Sequence, residues 1–347
     1  MNVSRSTIFV FSLEPWGDMW YSKHHYAVEL AKNHQVIFVS PPDRWRLSDF
    51  FSFRLTKHTT PEGVTVVEYR NNLPIRLLPR PMRAFMEQFT AWKFRRLLNP
   101  EGNIFWSFHP TTLVERSPLH RFGYRTIYHV VDPYQSFPDD LRTAKHADVV
   151  VAINPWFLDY SELNPNTVLI PHGVRAEDME QSPERAEHYR RQWGRYAVMA
   201  AGINERTHYA LLLALAERIL ELKLVLVGPL APISGNQKDL RDQLLTLPNV
   251  VHLGVQHPDE LRHIILGCVV GLVTYAFEVY QIKPLAASGT PLKVITYLAQ
   301  QRPVVSSINS YIPELDRRGV FKPEDVDEFI EVVLKILDGG SRWIKTQ

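Results

Sequence analysis

Short runs of β-branched and aromatic residues alternate along the chain with segments whose apolar positions recur at helical spacing. In the first half these runs are 7–13, 35–40, 64–69, 103–108, 125–131, 148–153 and 167–171. Apolar runs of this length are typical of strands buried on both faces, and their alternation with helices predicts a parallel sheet wrapped by helices. The first half is therefore predicted to form one α/β domain.

The polar, charged segment 172–194 interrupts this alternation, and its Pro183 is a helix-start signal. Beyond it, strands are predicted at 196–202, 223–228, 250–254, 267–277 and 303–307, and helices at 206–221, 237–246, 257–266 and from 291 onwards. A chain of 347 residues is long enough for two cores. We therefore predict domains over 1–175 and 176–325, followed by a C-terminal helix over 326–347.

Composition narrows the function classes. Hydrophobic residues make up 45% and charged residues 22%, as in a soluble globular protein, and the longest apolar run, 267–277, is too short to span a bilayer. The N-terminus lacks the apolar core of a secretory signal, so a cytoplasmic location is expected. Cys268 is the single cysteine, which excludes an intrachain disulfide and predicts a buried, inert thiol. The chain has no G-x-G-x-x-G run, which argues against a dinucleotide dehydrogenase. Its net charge is only +2 and it has no recognised nucleic-acid-binding module, which argues against nucleic acid as a partner.

The segment SGTPLKVITYLAQQRPVVSS at 288–307 carries the strongest motif. Gly289 lets a bound anion come close to the backbone, Thr290 is a candidate N-cap and Pro291 suits the first helical position. A helix N-terminus binds phosphate through its unpaired N–H groups, and Lys293 in the first turn adds a positive charge. An ordinary capped helix with a solvated lysine would show the same pattern.

Helical spacing also assigns faces to this predicted helix. Positions 293, 296 and 297 fall on one face, which is the predicted ligand face. Leu292, Ile295 and Ala299 form the opposite stripe, which is predicted to face the core.

The run PLKVITYLAQQRPVVSS resembles the donor-binding helix and following strand of GT-B glycosyltransferases. The likeness continues through LVGPL (226–230) and NVVHLGVQHPDELRHIILGCVVGLVTYAFE (249–278), and more loosely through 12–32, 127–137, 146–157 and 168–174. It is nearest to bacterial exopolysaccharide and cell-wall glycosyltransferases, including membrane-associated glucuronosyltransferases. The resemblance implies an α/β GT-B fold with two Rossmann-like, doubly wound parallel-sheet domains facing across a cleft, the first binding acceptor and the second nucleotide sugar.

The resemblance implies transfer of a sugar from a nucleotide diphosphate sugar, a UDP-sugar above all, to a glycan or lipid-linked glycan in polysaccharide or cell-envelope biosynthesis. It implies no metal and no further cofactor. Many retaining relatives carry two glutamates eight positions apart where this chain has Ser288 and Thr296, and Gln301 replaces a usual glycine. These departures favour an inverting reaction. They also leave open a degenerate GT-B protein that binds nucleotide sugar, or assembles a complex, without catalysis.

The resemblance assigns the catalytic base to Asp132, which follows the run RTIYHVV as an aspartate does in similar inverting glucuronosyltransferases. A helix cap or a bond to loop amides is the alternative role for this carboxylate. His25 is the second candidate base. It belongs to a group after the first strand that is expected to line the acceptor side of the cleft, together with Glu14, Asp18 and His24.

The remaining site residues are assigned mainly to the donor. Gly202 resembles the glycine that lets the donor diphosphate approach, Arg206 would add charge or be solvated, and Tyr275 would stack on a nucleobase or pack in the pocket wall. His172, in an H-G-V turn after the last strand of the first half, would face the donor or stabilise the hinge. The D-V-D run at 325–327 is predicted to be the start of a capped surface helix, where acidic residues suit the dipole, rather than a metal site.

The segment 79–98 combines aromatic and aliphatic residues at helical spacing with arginines and a lysine. This composition suits an interfacial helix on anionic lipid, and it also suits a helix packed on the core with a solvated basic edge. The interfacial interpretation predicts a lipid-linked acceptor and peripheral contact with the cytoplasmic face of the inner membrane.

Overall fold

The computed structural model describes residues 6–99, 102–111, 124–132, 134, 137, 139–154, 160–276, 291–308, 315 and 318–339. The chain divides into two compact units, residues 1–171 and 172–347, called here the first and second domains. Each contains a sheet of its own, and each has its own hydrophobic clusters.

The first domain is an α/β unit around one sheet. Its strands are β1 (Thr7–Phe11), β2 (Gln35–Val39), β3 (Leu55–Thr59), β4 (Thr65–Tyr69), β5 (Asn103–Ser107), β6 (Tyr124–Val130), β7 (Val149–Ala152) and β8 (Thr167–Leu169). They lie in the order β3-β4-β2-β1-β5-β6-β7-β8, and every pair except β3 with β4 is parallel. The helices are α1 (Ser22–Ala31), α2 (Arg80–Phe94) and α3 (Asp140–His146), with 3-10 turns at Leu47–Phe51, Ile75–Leu77 and Arg95–Leu97.

Successive residues of β1 face opposite sides of this sheet, and both sides are covered. Val10 packs in a cluster with Ala27 of α1, whereas Phe11 packs in another cluster with Phe94 of α2. All five residues of β1 are buried, which explains why the central strands appear in the sequence as continuous apolar runs. The seven predicted strands are confirmed; six have slightly shorter bounds, and β6 is shifted by one residue towards the N-terminus. The antiparallel edge strand β3 was not predicted, because four of its five residues are exposed and no apolar run marks it.

The second domain is also an α/β unit with a parallel sheet. Its strands are β9 (Tyr196–Ala200), β10 (Lys223–Val227), β11 (Val250–His252), β12 (Val270–Val273), β13 (Val304–Ser306) and β14 (Val320–Phe321), in the order β11-β10-β9-β12-β13-β14. Its helices are α4 (Pro183–Trp193), α5 (Tyr209–Arg218), α6 (Asn236–Thr246), α7 (Pro258–Gly267), α8 (Leu292–Ala299) and α9 (Val326–Gly339), with a 3-10 turn at Glu177–Met179.

Two details of the second domain differ from the prediction. The apolar run 267–277 is not one long strand, because α7 extends to Gly267 and β12 covers only Val270–Val273. The two-residue strand β14 is too short to leave a pattern. Two other expectations are confirmed: Asp325 Oδ1 accepts a hydrogen bond from the N–H of Glu328 (2.8 Å) at the start of α9, and Cys268 is buried, which raises the pKa of its thiol to about 12.

Gln301 has a strained backbone conformation, at a position where the glycosyltransferases that the chain resembles usually have glycine. It follows α8 with φ of +54°, and within the described ranges it is the one non-glycine residue with positive φ. A side chain in this region costs about 1 kcal/mol that glycine avoids. We therefore expect Gln301→Gly to raise the free energy of unfolding in urea by up to about 1 kcal/mol. The matched control, Gln243→Gly inside α6, should lower it by a similar amount; a destabilised Gln301→Gly protein would contradict the strain argument.

Among the described residues, the helices are all too short or too polar to cross a membrane.

Candidate donor and acceptor sites

The strand order of each sheet indicates where a ligand would bind. In the first domain the chain winds outwards from β1 through β2 to β4 and then returns to β5 on the other side of β1. In the second domain it winds from β9 through β10 to β11 and returns to β12. Doubly wound sheets bind ligands outside the carboxyl ends of the strands at such a reversal. The candidate residues of each domain are therefore compared with these two positions.

Glu14 lies just beyond the carboxyl end of β1 and is held in place by its neighbours. Its carboxylate forms an ion pair with Lys23 of α1, whose side chain is only 5% exposed. The Ser12 hydroxyl donates to the Glu14 carbonyl (2.7 Å), and the Glu14 N–H donates back to that hydroxyl (3.0 Å). Because an ion pair with one buried partner keeps a fixed geometry, Glu14 presents a positioned, half-exposed carboxylate at the β1 edge.

His109 lies beyond the carboxyl end of β5, next to this ion pair. Burial lowers the pKa of His109 to about 4, the positive charge of Lys23 adds to the fall, and the negative charge of Glu14 opposes it. The ring is therefore neutral at pH 7. Its Nδ1 is buried without a hydrogen-bond partner among the described residues. This nitrogen can therefore take a further hydrogen bond.

Asp132 is exposed, two residues beyond β6, and lies beside Tyr134. The Tyr134 hydroxyl donates to the Phe108 carbonyl (2.7 Å), and burial raises its pKa, with the charges of Asp132 and Glu14 adding to the rise. The carboxylates of Glu14, after β1, and Asp132, after β6, therefore both raise the pKa of Tyr134. The structure brings Glu14, Asp132 and His109 to one edge of the first sheet.

His24 is a buried structural residue. Its side chain has no exposed surface, its Nδ1 accepts from the Tyr21 N–H (3.1 Å), and its Nε2 lies 3.1 Å from the Pro15 carbonyl. Burial lowers its pKa to about 4, which fits a neutral ring with Nε2–H as donor. Both nitrogens thus hold the loop between β1 and α1. His25 is half-buried with its ring 5.5 Å from that of Trp20, and Asp18 is exposed in the same loop.

In the second domain, the loop after β9 carries Gly202, Asn204 and Arg206. The Asn204 carbonyl oxygen of the side chain accepts from the Arg206 N–H (3.0 Å), and the Arg206 side chain is exposed. The Arg206 carbonyl accepts from the Ala276 N–H (3.0 Å), so this loop is joined to the segment after β12. The loop after β9 and the segment after β12 flank the strand reversal of the second sheet.

Gly202 is not required by the packing of the protein itself. A Cβ added there would have one neighbour within 4 Å, the Asn204 Nδ2 at 3.6 Å, which is an ordinary contact. We therefore expect Gly202→Ala to leave the free energy of unfolding within about 1 kcal/mol of wild type. If a ligand needs the space, the same variant should bind UDP at least about tenfold more weakly, since a methyl group would hold the diphosphate off the backbone.

Differential scanning fluorimetry and UDP titration on the same protein check this prediction. Gly228→Ala is an informative comparison, because its Cβ would lie 2.0 Å from the Ala201 carbonyl oxygen and should destabilise the fold. Unchanged UDP affinity in Gly202→Ala would show that this glycine makes no room for the donor.

Lys293, in the first turn of α8, is held against Tyr275. Its ammonium donates to the Tyr275 hydroxyl (2.8 Å) and lies 4.3 Å from the centre of the same ring. Ser307 fixes the backbone of Tyr275, because its hydroxyl accepts from the Tyr275 N–H (2.8 Å) and donates to the Tyr275 carbonyl (2.7 Å). Two strands and a helix therefore position one half-buried cation beyond the carboxyl end of β12.

The start and the faces of α8 differ from the prediction. Pro291 is the N-cap with extended ψ of 140° rather than the first helical residue, and Ser288, Gly289 and Thr290 lie outside the described residues. The predicted core stripe was wrong: Val294 and Tyr297 are the buried residues, whereas Leu292, Ile295 and Ala299 are half-buried. The reason is Tyr297, whose hydroxyl accepts from the Ala200 N–H (2.8 Å) and donates towards the Val198 carbonyl (3.1 Å). Because these bonds hold the Tyr297 ring against β9, α8 presents the face of Val294 and Tyr297 to the core.

Two further predicted positions have defined environments. The Thr296 hydroxyl donates to the Leu292 carbonyl one turn earlier (3.1 Å), so its proton is used within α8 and its oxygen keeps acceptor capacity. His172 is the first residue of the second domain and is half-buried. Desolvation lowers its pKa to about 4. A neutral imidazole at pH 7 can accept or donate a hydrogen bond but adds no charge there.

Sequence reasoning missed several residues at these two edges: Lys23, His109, Tyr134, Asn204 and Ser307. His109 could have been found, because it follows the predicted strand 103–108 just as Glu14 follows the first strand. Lys23 could not, since a lysine one residue before two histidines in a helix carries no signal that it will be buried. Its partner becomes evident only when α1 packs beside β1.

Together these features define two separate chemistries. The first domain offers carboxylates, a neutral histidine and a tyrosine, which are groups that bind hydroxyls and accept protons. The second domain offers a fixed ammonium, a second exposed cation and an unhindered glycine, which are features that hold a polyanion such as a diphosphate. Among the described residues, no group of three or more His, Cys, Asp or Glu side chains could hold a metal ion.

Comparison with known proteins gives similarities in both sequence and fold. The model of the family described as Glycosyl transferases group 1 matches residues 195–339. Three solved structures share the fold over nearly the whole chain. Sucrose-phosphate synthase from Thermosynechococcus elongatus is 15% identical with a TM-score of 0.67, covering 99% of this chain and 92% of that one.

HepE from Anabaena, solved with UDP and glucose, is 14% identical with a TM-score of 0.67, covering 98% of this chain and 92% of that one. A trehalose-6-phosphate structure from E. coli, bound with UDP-2-fluoro glucose, is 14% identical with a TM-score of 0.64, covering 97% and 92%. No curated protein sequence matches the chain.

Proposed function

We propose that this chain, whose residues 195–339 match the model of Glycosyl transferases group 1 and whose fold is GT-B, is a glycosyltransferase that uses a UDP-sugar as donor. The proposed acceptor is a glycan or lipid-linked glycan in polysaccharide or cell-envelope biosynthesis. The choice of UDP is supported by the UDP and UDP-sugar bound in two proteins of the same fold. In the proposed division of labour, residues 1–175 bind acceptor, residues 176–325 bind donor, and a C-terminal helix follows.

The observation that carries the donor proposal is the ammonium of Lys293, fixed 2.8 Å from the Tyr275 hydroxyl beyond β12. A diphosphate there would receive a full positive charge and the N–H groups at the start of α8. Gly202 would allow the phosphates to approach the backbone, and Arg206 would add a second charge. Tyr275 would pack beside the nucleotide, and Thr296 would accept a hydrogen bond from a ribose hydroxyl.

Ser288, Gly289 and Thr290 belong to the same proposal as part of the segment that leads into α8. Their roles rest on sequence, since they lie outside the described residues. His172 is proposed to contact the donor as a neutral hydrogen-bonding group.

We propose an inverting transfer with Asp132 as the base. The acceptor hydroxyl attacks the anomeric carbon, its proton passes to the Asp132 carboxylate, and the bond from that carbon to the diphosphate oxygen breaks. The exposed position of Asp132 leaves it accessible to an acceptor, and Lys293 stabilises the charge that develops on the leaving diphosphate. The design needs no metal or further cofactor. His25 is the second candidate base.

The acceptor site is proposed to lie at the carboxyl edge of the first sheet. Glu14, held by Lys23, would bind acceptor hydroxyls, with Asp18 at its rim and His24 fixing the loop that carries both. His109 joins this set because its buried Nδ1 is available for a hydrogen bond. We also propose peripheral contact of 79–98 with the cytoplasmic face of the inner membrane, which would bring a lipid-linked acceptor to this edge.

The second candidate function is a degenerate GT-B protein that binds nucleotide sugar without turnover. It is favoured by Ser288 and Thr296, which stand where retaining relatives carry glutamates. Release of UDP from a panel of UDP-sugars, measured with and without a lipid extract as acceptor source, separates the two. The transferase proposal expects UDP release that depends on the extract. Saturable donor binding with no release under either condition would establish the degenerate protein instead.

A further inference from the structure

The first domain displays a cluster of apolar side chains to solvent. In the segment 47–53, the exposed fractions are 83% for Leu47, 49% for Phe50, 80% for Phe51 and 58% for Phe53. On α2, Met82, Phe85 and Trp92 are 50%, 70% and 41% exposed. These seven side chains together with Phe89 are called here the aromatic surface. Apolar patches of this extent on a soluble protein mark a binding surface.

The two parts of the aromatic surface meet where Phe53 contacts Phe89. Positions 82, 85, 89 and 92 recur at intervals of three and four, so they share one face of α2. The Phe53 ring lies 5.8 Å from that of Phe89, and Phe89 stacks on Trp92 at 5.8 Å. The other face of α2 already packs into the core through Phe94. The helix therefore has a second apolar face that the fold does not need.

A buried polar network fixes the segment 47–53. Asp49, 4% exposed, accepts from the Arg46 N–H (2.9 Å) and from the Arg70 guanidinium (3.2 Å). The Asn72 amide donates to the carbonyls of Phe50 and Ser52, both at 3.0 Å.

Lys93, 5% exposed, donates to the Ser52 carbonyl (2.9 Å). Burying three such groups is costly unless all are well paired. Their common effect is to hold a short loop rigid while its four apolar side chains face water. This is the arrangement of a preformed docking element, which loses little entropy when it binds.

The charge around the aromatic surface identifies its occupant. Exposed arginines adjoin its two parts along the chain: Arg44, Arg46 and Arg54 flank the segment 47–53, and Arg95 and Arg96 directly follow α2. The Arg95 guanidinium lies 4.1 Å from the centre of the Trp92 ring. Aromatic and aliphatic side chains with a basic rim match the boundary between anionic headgroups and acyl chains. A second copy of this chain would bring an equally basic rim and be repelled.

We propose that the aromatic surface docks on an anionic lipid bilayer, with the segment 47–53 inserted at the headgroup boundary and α2 lying along it. The proposal deepens the membrane contact of 79–98 and rests on that part of the proposed function alone. The segment 47–53 follows β2, and Arg83 of α2 forms an ion pair with Asp139, which lies between β6 and α3. Docking would therefore place the acceptor edge of the first sheet close to the bilayer.

Sedimentation with vesicles tests the proposal on the full chain. The expected result is binding to phosphatidylcholine vesicles that contain phosphatidylglycerol, and weaker binding to phosphatidylcholine alone or at high salt. Leu47→Ser and Phe51→Ser should each lower the partition coefficient about tenfold. Leu220→Ser is the matched control, because Leu220 is 71% exposed in the second domain, and it should bind vesicles as wild type does.

Three outcomes would overturn the proposal. They are wild-type protein that stays in the supernatant, Leu47→Ser and Phe51→Ser proteins that sediment like wild type, and a concentration-dependent dimer that Phe51→Ser abolishes in the ultracentrifuge. UDP titration of the same proteins keeps the two proposals distinct. Vesicle binding without UDP affinity would contradict the donor assignment and support the docking surface. UDP affinity without vesicle binding would support the donor assignment and contradict the docking surface.

Discussion

Replacement of Asp132 by asparagine is expected to lower turnover by about 10²- to 10⁴-fold, because the amide cannot accept the acceptor proton in the transition state. UDP-sugar affinity should stay within about twofold of wild type, since the proposed donor-binding groups lie in the second domain. Steady-state UDP release and calorimetric UDP titration measure the two quantities separately. The fold should be unaffected, because Asp132 is exposed.

Asp43→Asn is the matched control for this experiment. Asp43 is also an exposed aspartate of the first domain, it has no role in the proposed acceptor site, and its substitution removes the same charge. It should reduce turnover far less than Asp132→Asn does. Full activity of the Asp132→Asn protein would show that Asp132 is not the base. If His25→Ala also lowered turnover strongly, the base would be assigned to His25 instead.

Replacement of Lys293 by alanine is expected to weaken UDP binding about 10- to 100-fold, the usual worth of a charge-assisted contact to phosphate. The loss should be confined to the diphosphate: affinity for uridine should hardly change. Because Lys293 contacts Tyr275 at the domain surface rather than in the core, the melting temperature should shift little.

Lys238→Ala provides the comparison for Lys293→Ala. Lys238 is an exposed lysine of the same domain that pairs with Asp242 (2.6 Å), so its loss removes an equal charge away from the proposed site. Its UDP affinity should equal that of wild type. Equal weakening in both variants would reduce the effect of Lys293 to general charge, and no weakening in Lys293→Ala would place the diphosphate elsewhere.

The fold was largely predictable because its central strands are buried on both faces. β1 has five buried residues in a row, and such a run is visible without any tertiary information. β3 was missed for the opposite reason: it lies at the sheet edge with exposed, polar residues, and only pairing with β4 makes it a strand. Local pattern thus identifies the interior of a sheet and not its margins.

The positions of the candidate residues were predictable where these residues follow strands, and less so where they lie on helices. Glu14 and Asp132 could each be placed by counting from a strand end, whereas Tyr275 fell inside the predicted strand 267–277 and lies beyond β12. The rotation of α8 could not, because it depends on Tyr297 bonding the backbone of β9, and the spacing of apolar residues alone favoured a different face. The aromatic surface was only half visible: the segment 79–98 shows a helical pattern, whereas 47–53 becomes a docking candidate once Asp49, Asn72 and Lys93 are seen to hold it.

The proposed function depends above all on binding of a nucleotide diphosphate sugar by the second domain through Lys293. Isothermal titration of the full chain with UDP, GDP, dTDP and their common sugar conjugates, repeated with Lys293→Ala, measures this binding. We expect saturable binding of UDP and at least one UDP-sugar, with an affinity that falls about 10- to 100-fold in the variant. If no nucleotide binds, or if the variant keeps the full affinity, Lys293 is not the donor-binding residue that we propose.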